Sequence, residues 1–258
     1  MKITALTENT SCKPGIGCEH GLSLFIETEK HKILFDMGQT ELFAQNAKAL
    51  GIDLAAVDIA VLSHGHYDHG GGLERFLSIN QRAKVYLNEH AFEPHFNGTE
   101  KYIGLDTALK NSERLVFTGE EFQIAEGLTL YACNERHKEF DFGNGGLNME
   151  ENGRLIPEDF RHEHYLLIKE NDRRVLISGC SHKGILNILG WFEPDVLVGG
   201  FHFMKLPCDN RLKGYAELLN SFDAEYYTCH CTGVEQYEFM RPLTDRLHYL
   251  SAGQTIEI

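Results

Sequence analysis

Basic side chains are in short supply. The 258 residues hold 24 Lys and Arg against 38 Asp and Glu, a formal charge of -14. Such a surface repels phosphate backbones, so nucleic acid is excluded as a main partner. A small anionic substrate is not excluded, because a metal centre can supply positive charge locally. Long apolar runs are missing too. None approaches the roughly 18 residues that a membrane-crossing helix needs, and the opening stretch MKITALTENTSCKPG has no apolar core of signal-peptide length. The expectation is a cytoplasmic protein with no membrane partner. Cysteine is sparse and scattered, with seven residues at 12, 18, 133, 180, 208, 229 and 231. An odd number at irregular spacing argues against a disulfide scaffold. Most of these read as buried thiols. The close pairs Cys12 with Cys18 and Cys229 with Cys231 could bind metal or act as redox pairs, though neither has the spacing of a closed zinc knuckle. There is no internal repeat, low-complexity tract or linker, and the length suits one domain spanning 1–258.

Within that frame, strand and helix patterns alternate. LSLFIETEKHKILFDMG (22–38) reads as two strands around a charged turn, and TELFAQNAKALGI (40–52) has helical spacing closed by Gly51. DIAVLSHGH is a short buried strand, GGLERFLSIN a helix and AKVYLNEHAF a strand with its exit. Residues 92–120 lack periodicity and form a loop-rich insertion. Later, FQIAEGLTLYAC and HYLLIKENDRRVLISGC read as strands, the latter a hairpin turning at Asn171-Asp172. HKGILNILGWF, RLKGYAELLNSF and GVEQYEFMRPLTDRL are helices. DVLVGGFHF, EYYTCHCTG and the closing HYLSAGQTIEI read as strands. The fold class is α/β in layers.

The densest chemistry lies in SHGHYDHGGG (63–72), where His64, His66, Asp68 and His69 fall within six positions after a buried strand. In extended chain His64 and His66 point the same way, and Asp68 and His69 follow a turn later. The flanking glycines let the backbone bend and approach closely. Imidazole with carboxylate suits a divalent ion that keeps an open coordination position. Two ions about 3.5–4 Å apart could share the site.

The pattern H-x-H-x-D-H after a short apolar strand resembles the metallo-β-lactamase superfamily, and ILFDMG (33–38) resembles the strand and Asp-Gly turn that precede the motif there. The resemblance implies a four-layer αββα sandwich and gives Asp36 the role of supporting a ligand histidine. Further along, most members have Gly-Asp after the strand VLIS, whereas this chain has Gly-Cys-Ser-His. That run, with GGFHF (199–203), CHCTG (229–233), EHGLSLFIE and HYLLIK, is similar to the subgroup of dihydropterin-ribofuranosylaminobenzene phosphate synthases.

On this resemblance the metal ligands are His64, His66, Asp68, His69, His182 and His230. The cofactor is one or two divalent ions, zinc first, with manganese or iron as alternatives. His202 sits where phosphodiesterases and transfer-RNA-processing nucleases of this fold carry a histidine that binds phosphate or protonates the leaving group; ligation is the other reading. Histidine suits the proton role because it titrates near operating pH. Cys180 could act as a soft ligand.

The remaining histidines lack motif support. His162 and His164 read as a solvated face of a strand, His20 as the rim of a pocket, and His90 and His95 as pocket lining. In the subgroup the region 92–160 roofs the site, which draws attention to Lys101, Tyr102 and Arg136 as contacts for a phosphorylated or pterin-like substrate. A metal-oriented nucleophile would attack phosphorus or carbon, with Asp68 positioning water and His202 supporting the leaving group. The specific expectation is a synthase that transfers a dihydropterin to a ribofuranosylaminobenzene phosphate. Hydrolysis of a small phosphodiester or ester is the enzymatic alternative. An iron or zinc protein for redox chemistry or sensing is the alternative of another class. The oligomeric state is open.

Overall fold

Residues 22–35 set the first sheet. Their alternating apolar side chains fold as strands Ser23–Glu27 and Lys32–Phe35, joined antiparallel around the charged turn. The computed structural model describes residues 1–258 and divides into two compact units, Met1–Gly119 with Gly146–His164 and Ser251–Ile258, and Glu120–Gly145 with Tyr165–Leu250.

The first unit has a seven-stranded sheet. Its order in space is Thr255–Glu257, Lys2–Thr7, Ser23–Glu27, Lys32–Phe35, Ile59–Val61, Lys84–Asn88 and Leu115–Thr118. Pairing is antiparallel as far as Lys32–Phe35 and parallel from there onward. The change follows from the connections, because parallel neighbours need a crossover. Helices Leu42–Ala49 and Leu73–Ile79 lie in those crossovers and bury Phe43, Ala47, Leu73 and Phe76 with Leu34, Leu62, Val85 and Leu87. Residues 92–120, loop-rich by sequence, carry the short strands His95–Asn97 and Lys101–Tyr102 besides Leu115–Thr118. The first two join Leu147–Glu151 and Arg154–Pro157 in a small four-stranded sheet.

The second unit is also built on seven strands, ordered Leu247–Tyr249, Glu225–Thr228, Val196–Gly199, Arg173–Ile177, Tyr165–Glu170, Leu128–Tyr131 and Glu121–Ala125. The hairpin turns where expected, with Asn171 and Asp172 at φ 51° and 59°, the mirror-image turn that matches strand twist. Helices Ile185–Phe192, Asn210–Leu219 and Val234–Met240 belong to the same unit. Their residues Ile188, Leu212 and Met240 share a core with Leu176, Leu197 and Tyr226.

In each unit the parallel strands determine where chemistry collects. Asp36 follows Lys32–Phe35, and Ser63 and His64 follow Ile59–Val61, its parallel neighbour. In the second unit Arg173–Ile177, Val196–Gly199 and Glu225–Thr228 run parallel, and the chain leaving them carries His182, His202 and His230 in turn. Side chains beyond the carboxyl ends of adjacent parallel strands emerge at one edge of the sheet, where open α/β sheets place their ligands.

Candidate metal centre

Within the first unit His64, His66 and His69 converge. The His64 ring lies 4.7 Å from that of His66 and 4.1 Å from that of His69, centroid to centroid, and all three are buried. His66 is extended and starts the short helix Tyr67–Gly70, which carries Asp68 and His69. Glycine is needed at 65 because a Cβ there would stand 2.2 Å from the Ala91 carbonyl oxygen.

A buried hydrogen-bond chain orients two of these rings. Asp36 Oδ1 accepts the Ser63 backbone N–H at 2.7 Å, and Asp36 Oδ2 accepts the Ser63 hydroxyl at 2.7 Å. With its proton given to Asp36, Ser63 Oγ accepts from His64 Nδ1 at 2.8 Å. His69 Nδ1 donates to Asp36 Oδ2 at 2.7 Å. Both imidazoles therefore carry their proton on Nδ1, and Nε2 is the nitrogen that can ligate. Burial pushes the His69 imidazole down, but the Asp36 and Asp68 carboxylates outweigh it and raise its pKa above the ordinary 6.5. Asp68, its carboxylate only slightly exposed, has Oδ2 3.2 Å from His20 Nε2 and 3.9 Å from His69 Nε2. Buried imidazoles with fixed tautomers beside a carboxylate fit a divalent ion of the zinc kind.

Sequence reasoning missed the other half of this neighbourhood. Glu158, buried, faces three histidines. His162 Nε2 lies 2.6 Å and His95 Nδ1 2.7 Å from its Oε1, and His66 Nε2 lies 3.4 and 3.3 Å from its two oxygens. Burial pushes the Glu158 carboxyl up, but hydrogen bonds from His162, His66 and His95 prevail and hold it far below the usual carboxylate range. Burial and the neighbouring His95 hold the His162 imidazole well below its ordinary value. The solvated-face expectation for His162 and His164 is overturned: both are buried, and the strand begins only at Tyr165. His95 is fully buried.

Within the second unit two groups form. The His182 and His202 rings lie 4.3 Å apart. His182 is buried, while His202 is half-buried with φ 57°. His230, at φ 49°, shares a buried cluster with Cys180 and Cys231 whose ligand-type atoms lie within 4.8 Å of one another, so Cys180 is placed beside a predicted ligand. Arg136 is otherwise engaged: it donates to the Trp191 carbonyl at 2.8 Å and its guanidinium lies over the Tyr131 and Phe192 rings. Lys101 Nζ lies 3.3 Å from the Tyr67 hydroxyl.

A family model described as the metallo-beta-lactamase superfamily matches residues 16–222. The chain belongs to that superfamily. Two relatives from Methanocaldococcus jannaschii resemble it over nearly their whole length. Protein MJ0448 is 29% identical over 242 residues, covering 90% of this chain and 91% of its own. A protein named 7,8-dihydropterin-6-methyl-4-(beta-D-ribofuranosyl)-aminobenzene-5'-phosphate synthase is 27% identical over 264 residues, covering 93% and 90%. Among solved structures, Tm1679, described as a metal-dependent hydrolase of the beta-lactamase superfamily, is similar with a TM-score of 0.86 and 29% identity, covering 100% of this chain and 99% of that one. The α/β architecture expected from sequence is the metallo-β-lactamase fold, and the superfamily assignment makes the chain a metal-dependent enzyme.

Proposed function

We propose that this chain is a synthase that transfers a dihydropterin to a ribofuranosylaminobenzene phosphate, working with divalent ions held by His64, His66, Asp68, His69, His182 and His230. The observation that carries the reading is the near-full-length likeness to a relative named for that synthesis. The Gly-Cys-Ser-His run at 179–182 supports it, as the feature by which the sequence resembles that subgroup. Zinc is the ion we assign first, and we take the setting to be cytoplasmic. No helix is long and apolar enough to cross a membrane.

When bound, a divalent ion supplies Lewis-acid polarisation and positive charge for a phosphorylated substrate. The remaining work falls to side chains. Asp36 and Ser63 hold the His64 and His69 rings in one tautomer. Asp68 orients the attacking group. His202 carries the proton to the departing atom, for which imidazole is suited near neutral pH. A condensation must keep water away from the reacting carbon, so the synthase reading calls for a closed site during turnover.

Hydrolysis of a small phosphodiester or ester is the second reading, favoured by the likeness to Tm1679 and its description as a hydrolase. One paired assay separates the two. Metal-replete and chelated protein are tested with bis-p-nitrophenyl phosphate and, in parallel, for condensation of a dihydropterin donor with the ribofuranosylaminobenzene phosphate. Condensation that chelation abolishes supports the synthase. Metal-dependent phosphodiester cleavage without condensation replaces it by the hydrolase. Inactivity in both, with metal bound, removes both readings.

A further inference from the structure

Glu158 and the histidines around it have the composition of a metal site, three imidazoles and a carboxylate, all buried. The geometry argues for something else. The Gly65 backbone N–H donates to His162 Nδ1 at 2.8 Å. That nitrogen is therefore an acceptor, and the single proton of the neutral ring sits on Nε2. Nε2 is the atom 2.6 Å from Glu158 Oε1, so His162 presents a donor there, not a ligand lone pair. His95 Nδ1 lies 2.7 Å from the same oxygen. Ligand atoms at zinc bond lengths of about 2.0–2.1 Å stand further apart than this around a tetrahedral ion. The His162 separation is that of a short charge-assisted hydrogen bond, and the His95 contact is as close without being aligned as one. A carboxyl group, even when protonated, carries one donor, so three ring nitrogens gathered on it must mostly be donors themselves.

We propose that Glu158 is a positioning residue for His66: it takes the Nε2–H of that ring, braced by His95 and His162, and so makes Nδ1 the nitrogen His66 offers to the metal. The inference rests on the reading of His66 as a ligand. In the first unit it completes a pattern, because each histidine of the motif then has a named anchor: Ser63 for His64, Glu158 for His66 and Asp36 for His69. It also accounts for the form of the cluster. His66 reaches across two carboxylate oxygens at 3.3 and 3.4 Å, while the shorter contacts from His162 and His95 fix where that carboxylate stands. Gly65 ties the arrangement to the motif, since its N–H sets the His162 tautomer and its missing Cβ leaves room beside Ala91 and His95.

Two measurements on the full chain test this. In the metal-free wild type, long-range 1H–15N correlation of the histidine rings, with the His66 signals identified by their loss in His66→Gln, reports the tautomer. The expected result is a proton on Nε2. The second measurement is zinc affinity by competition with a chromophoric chelator, for wild type and Glu158→Gln. Losing a partner of this kind costs about 10–100-fold in metal affinity, so a fall in that range is expected, with the His66 signals moving away from the pure Nε2–H pattern. A His66 proton on Nδ1 in the wild type overturns the proposal, and it does so even if Glu158→Gln fails to fold. So does a folded Glu158→Gln that binds zinc within twofold of wild type, since a purely structural role would lower the melting temperature of the metal-free protein and leave that affinity alone. Absence of zinc binding by the wild type removes the metal-centre reading itself, and this proposal with it.

Discussion

Asp36 Oδ2 lies 2.7 Å from His69 Nδ1, with both side chains fully buried, and Asp36 holds its backbone at φ 61°. That left-handed conformation aims the carboxylate back at the exit of the neighbouring parallel strand, where it also accepts the Ser63 N–H and hydroxyl. One side chain thus links the two strand ends from which the motif begins. Aspartate and asparagine tolerate this backbone region better than most residues.

Replacement of Asp36 should separate backbone from charge. Asp36→Ala leaves the Ser63 N–H and the His69 Nδ1–H buried without an acceptor, a loss of about 3–5 kcal/mol in unfolding free energy. Asp36→Asn keeps the backbone preference and one acceptor, so it should destabilise less. Both should weaken zinc binding by about 10–100-fold, because His69 loses the carboxylate that fixes its tautomer. Urea unfolding of metal-free protein and chelator competition measure the two effects separately. Asp36→Ala as stable as wild type would contradict the assigned network.

Acid should act in part through a carboxylate away from the motif. Glu93 lies 2.8 Å from Arg161 Nε and 2.8 Å from His90 Nδ1. Burial pushes its carboxyl up, but those two partners prevail and hold it below 4.5. A carboxylate depressed in the folded state contributes stability that is complete above its unfolded value and is lost as pH falls through the lower folded value. Stability should therefore decline from near pH 4.5 downward, and Glu93→Gln should make that decline shallower without changing the slope between roughly pH 6 and 8. Chemical unfolding of the metal-free protein across this range is the measurement.

How far the sequence carried the fold and the site depends on whether a signal is local. The hairpin at Asn171-Asp172, the helices Leu42–Ala49 and Ile185–Phe192, and the motif at 64–69 each sit within a short window of residue types that dictate them. The first strand, Lys2–Thr7, escaped notice because its six residues find their support in Ser23–Glu27 and in Thr255–Glu257 from the far end of the chain. Glu158 escaped for the same reason: the residue it faces, His66, is 92 positions away, and an acidic residue in IPEDF looks like any surface charge. For His162 and His164 the local pattern RHEHY fits an extended surface strand. The chain instead turns at Phe160, at φ 61°, before the strand begins at Tyr165.

His202 offers a sharper test of the site. It leaves the strand Val196–Gly199 at φ 57°, and its ring, half-buried, lies 4.3 Å from that of His182. If it delivers a proton, His202→Ala should slow turnover by about 100- to 10,000-fold, the usual contribution of a general acid, while metal content by elemental analysis stays at the wild-type level. Loss of metal together with activity would make His202 a ligand and reverse the role assigned to it.

Stability of the first unit should depend strongly on one buried asparagine remote from the site. Asn80 is fully buried at the end of helix Leu73–Ile79. Its amide donates to the carbonyls of Leu54 and Val57 at 3.0 and 2.8 Å, and its Oδ1 accepts the backbone N–H groups of Arg82 and Ala83 at 3.0 and 2.8 Å. One side chain thereby satisfies backbone polar groups on both sides of the crossover that leads into strand Lys84–Asn88. Asn80→Leu has similar volume but no polar atoms, so it strands the buried Val57 carbonyl and Ala83 N–H and removes one bond each from the Leu54 carbonyl and the Arg82 N–H; each stranded group costs on the order of 1 kcal/mol or more, and the losses together should remove about 2–4 kcal/mol. Asn80→Asp keeps the three acceptor bonds, that from the Arg114 guanidinium at 3.2 Å included, but turns its other carboxylate oxygen toward two carbonyl oxygens, and should be destabilising at neutral pH with partial recovery on acidification, when a protonated oxygen can donate again. Thermal unfolding at two pH values distinguishes the pair, and a neutral effect of Asn80→Leu would show that the crossover is held by its apolar contacts alone.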